Sequence, residues 1–191
     1  TAAHCWNRYP EILTVVVGTH DLSKSKILDR IRVKHYFPHP KSRPRPYQND
    51  IMLLMLYKKI NLNNHVKWIS LPKKEEDVTA NHFCSVTVWG RLRTNGPLST
   101  RLKEANVFIE NHAECHHRWG NEYIDSQMIC VYGSGGSCEY DSGGPLVCGN
   151  IAVGITSFGD ISHCNSPVKP NVYTKISAFL PWIQQTIRNV K

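Results

Sequence analysis

Short runs of apolar and β-branched residues, each closed by turn residues, recur along most of this chain. Clear examples are 13–17, 51–56, 85–89 and 151–155. Runs of this length between turn residues are typical of short β-strands. The pattern therefore predicts an all-β fold, built as a sandwich or as barrels.

Helical periodicity is clear only at the C-terminal end. Five side chains share one helical face there: Phe179, Trp182, Ile183, Thr186 and Ile187. Pro181 suits the first turn of a helix, where its missing N–H is not needed. A second, shorter helix is expected over about 111–119.

The chain has 191 residues, enough for one large domain or two small ones. The Pro- and Lys-containing stretch 71–77 is the best linker candidate. It predicts an N-terminal unit over 1–72 and a C-terminal unit over 73–191. Residue 1 is Thr rather than Met, so we expect a processed chain or a fragment.

Composition and charge limit the possible functions. No apolar run approaches the roughly 18 residues that a membrane span needs. The net charge of +8 would suit an anionic partner or simple solubility. No zinc-knuckle spacing or RNA-binding aromatic motif accompanies this charge, so we predict no nucleic-acid partner.

The chain contains seven cysteines. None forms a Cys-x-x-Cys pair, which argues against a zinc or thioredoxin-like site. Cysteines in this number are typical of disulfides in an oxidising compartment. Because the count is odd, one cysteine is left over.

The strongest local signal for chemistry is the stretch 138–146, with Asp141 before Ser142 and two glycines after it. This setting suits an exposed nucleophile, because glycines let a substrate backbone come close. On this motif alone, an ordinary Gly-rich turn is an equal alternative.

A serine hydroxyl is a weak nucleophile and needs a base. His4, in Thr1-Ala2-Ala3-His4-Cys5, could be that base, although a lone His is usually only a polar surface or core residue. Asp50 leads the apolar run 51–56, and burial of its charge costs free energy unless it is hydrogen-bonded. An imidazole N–H would be such a partner.

The three candidates follow the chain order His4, Asp50, Ser142, which is the order of the chymotrypsin arrangement. On these motifs the sequence resembles the trypsin/chymotrypsin-like serine proteases. Three further segments carry the same resemblance over essentially the whole chain: 89–90, 157–159 and 170–175. Within the family the resemblance is greatest to the granzymes and mast-cell chymases, although Cys138 and Cys164 form a pair that mammalian members generally lack.

The resemblance implies an all-β fold of two perpendicular antiparallel β-barrels with a C-terminal α-helix. The first barrel should be incomplete, because its opening strands are expected to precede this chain. His4 and Asp50 from the first barrel, with Ser142 from the second, would be the catalytic residues in the cleft between them.

The resemblance also implies an oxyanion hole made by the backbone N–H groups of Tyr140 and Ser142. The family normally has Gly in place of Tyr140, and a tyrosine lacks the backbone freedom of Gly. Two outcomes are open: the peptide turns away and the enzyme is weak, or the hole forms and the ring crowds the leaving-group side.

By the same matching, the substrate-binding residues would be Gly136 at the pocket base, Gly159 at its wall and Asn171 beside them. No Asp lies at the base, so cleavage after Arg or Lys is not expected. We expect cleavage after Phe, Leu or Met. The segment Ser157-Phe158-Gly159 would pair with the substrate backbone as an added strand.

Asp141 would form the activation ion pair with a new N-terminal ammonium, which the resemblance places on a segment before the histidine motif. The chain is therefore expected to be N-terminally truncated and to have little activity alone. The implied disulfides are Cys84–Cys148, Cys115–Cys130 and Cys138–Cys164. Cys5 would pair with a cysteine in the preceding segment.

No cofactor or metal is expected. Thr19 stands where calcium-binding relatives carry Glu, and His112 and His116 are better interpreted as solvent-facing residues than as zinc ligands. Expected partners of this monomer are protein or peptide substrates, protease inhibitors and sulfated proteoglycan. The basic residues for the last lie in 24–34, 41–45 and 91–103. We expect a secreted, extracellular or granule-stored protein, and the alternative function is that of a catalytically silent homologue that binds polysaccharide or protein.

Overall fold

The computed structural model describes residues 1–6, 12–24, 30–44 and 46–190. The first part of the chain forms a three-stranded antiparallel sheet in the order β1-β2-β5. Its strands are β1 (Thr14–Val15), β2 (Ile31–Pro38) and β5 (Met52–Leu56). A two-stranded ribbon, β3 (Arg43–Pro44) and β4 (Tyr47–Gln48), lies between the last two in the sequence.

The second part forms a closed antiparallel barrel of six strands, in the order β10-β11-β8-β7-β6-β9. The strands are β6 (Phe83–Val88), β7 (Lys103–Ile109), β8 (Met128–Tyr132), β9 (Pro145–Cys148), β10 (Ile151–Phe158) and β11 (Asn171–Lys175). Val86, Val107, Leu146 and Tyr173 fill its centre and are fully buried. Closure leaves this barrel without a free sheet edge.

Two α-helices accompany the barrel: α1 (His112–Trp119) and α2 (Leu180–Asn189). The side chain of Asn111 caps α1 by accepting from the N–H of Glu114, and Pro181 lies in the first turn of α2. Both helices lie where the sequence pattern predicts them.

The two parts of the chain share a core. Ile51 packs with Ile155 of β10 and with Phe179 and Ile183 beside and within α2. The predicted linker is held as well, because the Lys175 ammonium bonds the Asp77 carboxylate at 2.5 Å and Ser177 Oγ donates to the Glu76 carbonyl.

Three disulfides cross-link the second part: Cys84–Cys148, Cys115–Cys130 and Cys138–Cys164. These are the pairs that the resemblance implies, and Cys5 forms no disulfide among the described residues. The prediction of an all-β fold with a C-terminal helix is confirmed. Within the described residues the first part is an open three-stranded sheet. No helix in the described ranges is long and apolar enough to cross a membrane.

Candidate active site

His4 and Asp50 lie side by side at the junction of the two parts. His4 belongs to a short 3-10 helix, Ala3–Cys5, and Asp50 directly precedes β5. His4 Nδ1 lies 2.7 Å from Asp50 Oδ2, and the backbone N–H of His4 donates to Asp50 Oδ1 at 2.9 Å. Both carboxylate oxygens therefore hold the same residue, which fixes the imidazole in position and orientation.

A third donor reaches Asp50 from the second barrel. Ser157 Oγ, at the end of β10, donates to Asp50 Oδ2 at 2.5 Å. Burial by itself raises the pKa of Asp50, but the hydrogen bond and charge of His4 and the Ser157 bond outweigh it, and the pKa lies below its ordinary value. Asp50 is therefore a buried, ionised carboxylate.

Backbone contacts tie the Asp50 segment to both parts of the molecule. Asn49 has φ +48°, a left-handed turn that Asn tolerates, and its N–H donates to the Gln127 side chain. The Asp50 carbonyl accepts from Thr174 Oγ1 at 2.8 Å. The Met52 N–H donates to the Thr1 carbonyl at 2.8 Å, which brings the His4 segment alongside β5.

Ser142 is exposed, in the turn between β8 and β9. It lines a cavity of about 970 Å³ together with His4. The two side chains make no direct hydrogen bond. Gly143, at φ +83°, permits this approach of the two segments, because a Cβ there would collide with Thr1 Oγ1.

Tyr140, two residues before Ser142, has φ +73° and a side chain that is 72% exposed. Residues other than Gly, Asn and Asp rarely adopt this left-handed conformation. Tyr140 thus keeps a backbone conformation that is natural for Gly.

The backbone donors of this turn divide into two sets. The N–H groups of Asp141, Gly143 and Gly144 donate to carbonyls of the same region or of β10. The N–H groups of Tyr140 and Ser142 have no acceptor among the described residues. The turn that carries Ser142 therefore has two backbone donors without an acceptor among the described residues.

Of the predicted pocket residues, Ser157, Phe158, Gly159 and Asn171 line the same cavity, whereas Gly136 lies behind the Asn171 amide. The Asn171 Nδ2 group donates to the Ser137 carbonyl at 2.9 Å, and the side chain is buried. A Cβ on Gly136 would lie 2.6 Å from Asn171 Nδ2, and one on Gly159 would collide with Asn171 Oδ1. The Asn171 amide thus bridges the space between the two glycines.

Aromatic rings continue from His4 along the cavity. The Tyr47 ring lies 4.9 Å from His4 and 5.6 Å from Phe158, measured between centroids. Phe158 meets Trp119 edge to face at 5.0 Å, and Lys169 Nζ lies 4.7 Å above the Trp119 ring. No local pattern in the sequence assigns Tyr47 or Trp119 to the site, since only folding places them beside Phe158.

Asp141 points away from the cavity and is buried. Its carboxylate accepts from the N–H groups of Gly90 at 2.6 Å and Cys138 at 2.8 Å. Burial raises the pKa of Asp141 above its ordinary value, although these backbone bonds oppose the change. No cationic side chain of the described residues pairs with it.

The zinc alternative at His112 and His116 receives no support from the geometry. His112 contacts the Tyr123 hydroxyl at 2.7 Å and Asp77 at 3.3 Å. Within the described ranges, no three His, Cys, Asp or Glu side chains are grouped as metal ligands would be.

Comparison with known proteins gives the family. The family model described as Trypsin matches residues 1–183. The chain belongs to the trypsin family. Mast cell protease 3 of Ovis aries is 37% identical over 195 residues, which span 100% of this chain and 74% of the relative.

Two further relatives agree with this trypsin-family assignment. Cathepsin G of Homo sapiens is 34% identical, with 100% of this chain and 73% of the relative covered. Granzyme B(G,H) of Mus musculus is 35% identical, with 99% and 75% covered. The relatives of this trypsin-family chain thus include granzymes and mast cell proteases, as the sequence motifs predict.

Solved structures of trypsin-family proteases share the fold. One described as "Structure of GrC" has a TM-score of 0.88 and 33% identity, and the match covers 98% of this chain and 82% of the other. Neuropsin, a serine protease of mouse brain, has a TM-score of 0.87 and 32% identity, with 98% and 83% covered. The chymotrypsin-like fold is therefore confirmed.

Proposed function

We propose that the chain is a serine endopeptidase in which Ser142, His4 and Asp50 are the catalytic residues. The observation that carries this proposal is the convergence of His4 Nδ1 and Ser157 Oγ on Asp50, with His4 and Ser142 lining one cavity. Family membership supports the reaction class.

In this mechanism His4 Nε2 removes the proton from Ser142 Oγ as that oxygen attacks the scissile carbonyl. The protonated imidazole then gives the proton to the leaving amine. Asp50 holds the proton of His4 at Nδ1 and stabilises the imidazolium, without itself being protonated. Water then attacks the acyl-enzyme with His4 again acting as base.

The oxyanion hole would consist of the N–H groups of Tyr140 and Ser142. Their lack of protein acceptors among the described residues supports this role, because donors aimed at developing charge must be free in the resting enzyme. The positive φ of Tyr140 favours the second of the two outcomes raised by its sequence. The hole forms, and the exposed ring stands on the leaving-group side, where it restricts substrates and protein inhibitors.

The substrate pocket would accept a medium-sized apolar side chain. The Asn171 amide narrows the space between Gly136 and Gly159, and the expected base residue, Gly136, offers no carboxylate of its own to an Arg or Lys side chain. Among the expected residues, Leu and Met fit this narrowed pocket better than Phe. The backbone of Ser157, Phe158 and Gly159 would pair with the substrate as an added strand.

The rings of Tyr47, Phe158 and Trp119 would contact the residues that precede the cleaved one. Aromatic surfaces of this kind favour apolar side chains. We also propose that the chain divides at residue 72 into an N-terminal unit, 1–72, and a C-terminal unit, 73–191. The active-site cleft would lie between these two units.

Asp141 would receive the activation ammonium, and its buried carboxylate without a cationic partner among the described residues supports this role. The relatives and the three disulfides support secretion or storage in a granule, with the protein acting as a monomer. Sulfated proteoglycan is a further proposed partner. Residues 25–29 and 45 of its basic clusters lie outside the described residues, while Arg91 and Arg101 are already paired with Glu139 and Asp21.

The test is covalent labelling by a fluorophosphonate probe, which reports an activated serine without needing the natural substrate. The chain and a form extended at the N-terminus, so that an N-terminal ammonium can reach Asp141, are each compared with their Ser142→Ala variants. We expect labelling of the extended form that Ser142→Ala abolishes. Folded protein that is labelled in neither form would contradict the proposal.

A second candidate, the silent homologue that binds a partner, is favoured by one observation: a tyrosine occupies the strained position of the oxyanion hole. A Tyr140→Gly variant separates the two functions. An enzyme with a formed hole is labelled before and after the change, whereas a silent homologue becomes labelled only after it.

A further inference from the structure

The orientation of the Tyr140 N–H depends on a residue outside the cavity. Carbonyl and N–H of a trans peptide point in opposite directions. The Glu139 carbonyl, in the same peptide as the Tyr140 N–H, accepts from the backbone N–H of Arg91 at 3.0 Å. This bond turns the Tyr140 N–H to the side opposite Arg91.

The Arg91 side chain holds both residues of that peptide. Its Nε bonds the carboxylate of Glu139, and its guanidinium carbon lies 5.5 Å from the centre of the Tyr140 ring. A cation over an aromatic face is attractive. The Arg91 guanidinium therefore binds the side chains of both residues that the Glu139–Tyr140 peptide joins. Rotation of this peptide would redirect the Tyr140 N–H.

Arg91 is itself fixed by the segment 91–98, which we call the 91–98 hairpin. Arg91 and Leu98 pair as an antiparallel bridge, and Arg91 Nη1 donates to the Gly96 carbonyl at 2.5 Å. Thr94 Oγ1 accepts from the Cys164 N–H at 2.9 Å, beside the substrate pocket. The Arg91 side chain is only 29% exposed and does not line the cavity.

We propose that Arg91 is a positioning residue for the oxyanion hole, which compensates for the tyrosine at position 140. This inference rests on the proposed protease function and deepens it. A left-handed tyrosine relaxes readily to negative φ, and that rotation would carry its N–H away from the reacting carbonyl. The guanidinium opposes this relaxation by binding Tyr140 and Glu139 together. Arg91 acts through Tyr140 and touches no reacting atom.

The test is a double-mutant cycle between Arg91→Met and Tyr140→Gly, with the N-terminally extended form of the chain as the parent protein. The readouts are the rate of Ser142 phosphonylation by the fluorophosphonate probe, and kcat and KM for a leucine thiobenzyl ester. With Tyr140 present, we expect Arg91→Met to lower the labelling rate and kcat about tenfold, less than the roughly 10²–10³ of a lost donor. KM should change less than about twofold, because substrate binding does not involve Arg91.

In the Tyr140→Gly background, Arg91→Met should change neither rate by more than about twofold, because Gly adopts the left-handed conformation without help. Arg93→Met is the matched control, since Arg93 lies on the same hairpin, is exposed and does not contact Tyr140. Arg91→Lys keeps the positive charge, so its labelling rate and kcat should lie between those of the parent and Arg91→Met. If Arg91→Met fails to fold, Arg91→Lys replaces it in the cycle.

An equal loss in the parent and in the Tyr140→Gly background, or no loss in either, would overturn the role of Arg91 while leaving the protease function intact. A parent protein that the probe does not label at Ser142 would instead overturn the protease function, and the role of Arg91 with it.

Discussion

The two sides of the cleft are built in different ways. On the side of His4 and Asp50, the carboxylate is bonded by the His4 backbone, the His4 ring and Ser157. On the side of Tyr140 and Ser142, two N–H groups are free of acceptors among the described residues, and one belongs to a tyrosine at positive φ. The first side is held by its own hydrogen bonds, whereas the second relies on neighbouring residues to hold a disfavoured conformation.

The two buried carboxylates show the same contrast. The pKa of Asp50 is lowered because His4 and Ser157 outweigh the effect of burial. The pKa of Asp141 is raised because burial outweighs its backbone bonds. Asp50 has the His4 ring and the Ser157 hydroxyl as partners, whereas Asp141 has only backbone N–H groups among the described residues.

The largest predicted effect comes from breaking the His4 side. Asp50→Asn should lower kcat about 10⁴-fold, the loss seen when the same exchange is made in a chymotrypsin-type triad. The exchange removes the charge that stabilises the imidazolium and changes the tautomer of His4. Steady-state kinetics on a leucine thiobenzyl ester would measure it, with the exposed Asp125→Asn as control. A loss below tenfold would mean that Asp50 does not serve His4 in catalysis.

A smaller effect is predicted on the other side, at Asn171. Asn171→Gly removes the amide between Gly136 and Gly159 and so enlarges the pocket. The kcat/KM for a substrate cleaved after Phe, divided by that for one cleaved after Leu, should rise about 10- to 100-fold. Pockets that differ in size by a methylene group discriminate on this scale. The labelling rate of Ser142 should stay nearly the same. Asn165→Gly, an exposed neighbour, is the control. An unchanged preference would remove Asn171 from the pocket.

The smallest predicted effect is a difference in pH dependence between the two carboxylates. The stabilisation from Asp50 should be present above its unfolded pKa and be lost as pH falls through its lower folded pKa. The stabilisation from protonated Asp141 should be complete below its unfolded pKa and be lost as pH rises through its higher folded pKa. Urea unfolding of wild type, Asp50→Asn and Asp141→Asn between pH 3 and pH 7 (roughly the range over which carboxylates titrate) would measure both.

Expressed as the free energy of unfolding of wild type minus variant, the difference should grow with pH for Asp50→Asn and shrink with pH for Asp141→Asn. Slopes of the same sign for the two variants would contradict the assigned pKa directions.

Local patterns in the sequence predicted two of the six barrel strands and both helices. The run 85–89 lies largely within β6, where buried and less buried residues alternate, and the run 151–155 lies within β10, which is buried along most of its length. The run 13–17 yields only Thr14–Val15, since strand length there depends on which neighbour the edge pairs with. Motif order selected His4, Asp50 and Ser142 as candidates, because each stands beside a distinctive local pattern, and the structure brings His4 against Asp50 and to the same cavity as Ser142.

The contacts that tune the site could not be predicted in this way. Ser157 lies 107 positions from Asp50, and only the fold brings its hydroxyl to the carboxylate. The sequence showed that a tyrosine at position 140 was unusual, but not which conformation it takes. Arg91 looked like one of several basic residues, because its role depends on a ring and a carboxylate that it meets after folding.

A structure of the phosphonylated protein would test the central claim most directly. We predict a covalent bond from Ser142 Oγ to phosphorus, with the phosphonyl oxygen about 2.7–3.1 Å from the N–H groups of both Tyr140 and Ser142. His4 would remain bonded to Asp50. An adduct on another residue would contradict this account of the site. So would a phosphonyl oxygen that receives no hydrogen bond from the Tyr140 N–H because the Glu139–Tyr140 peptide has rotated away.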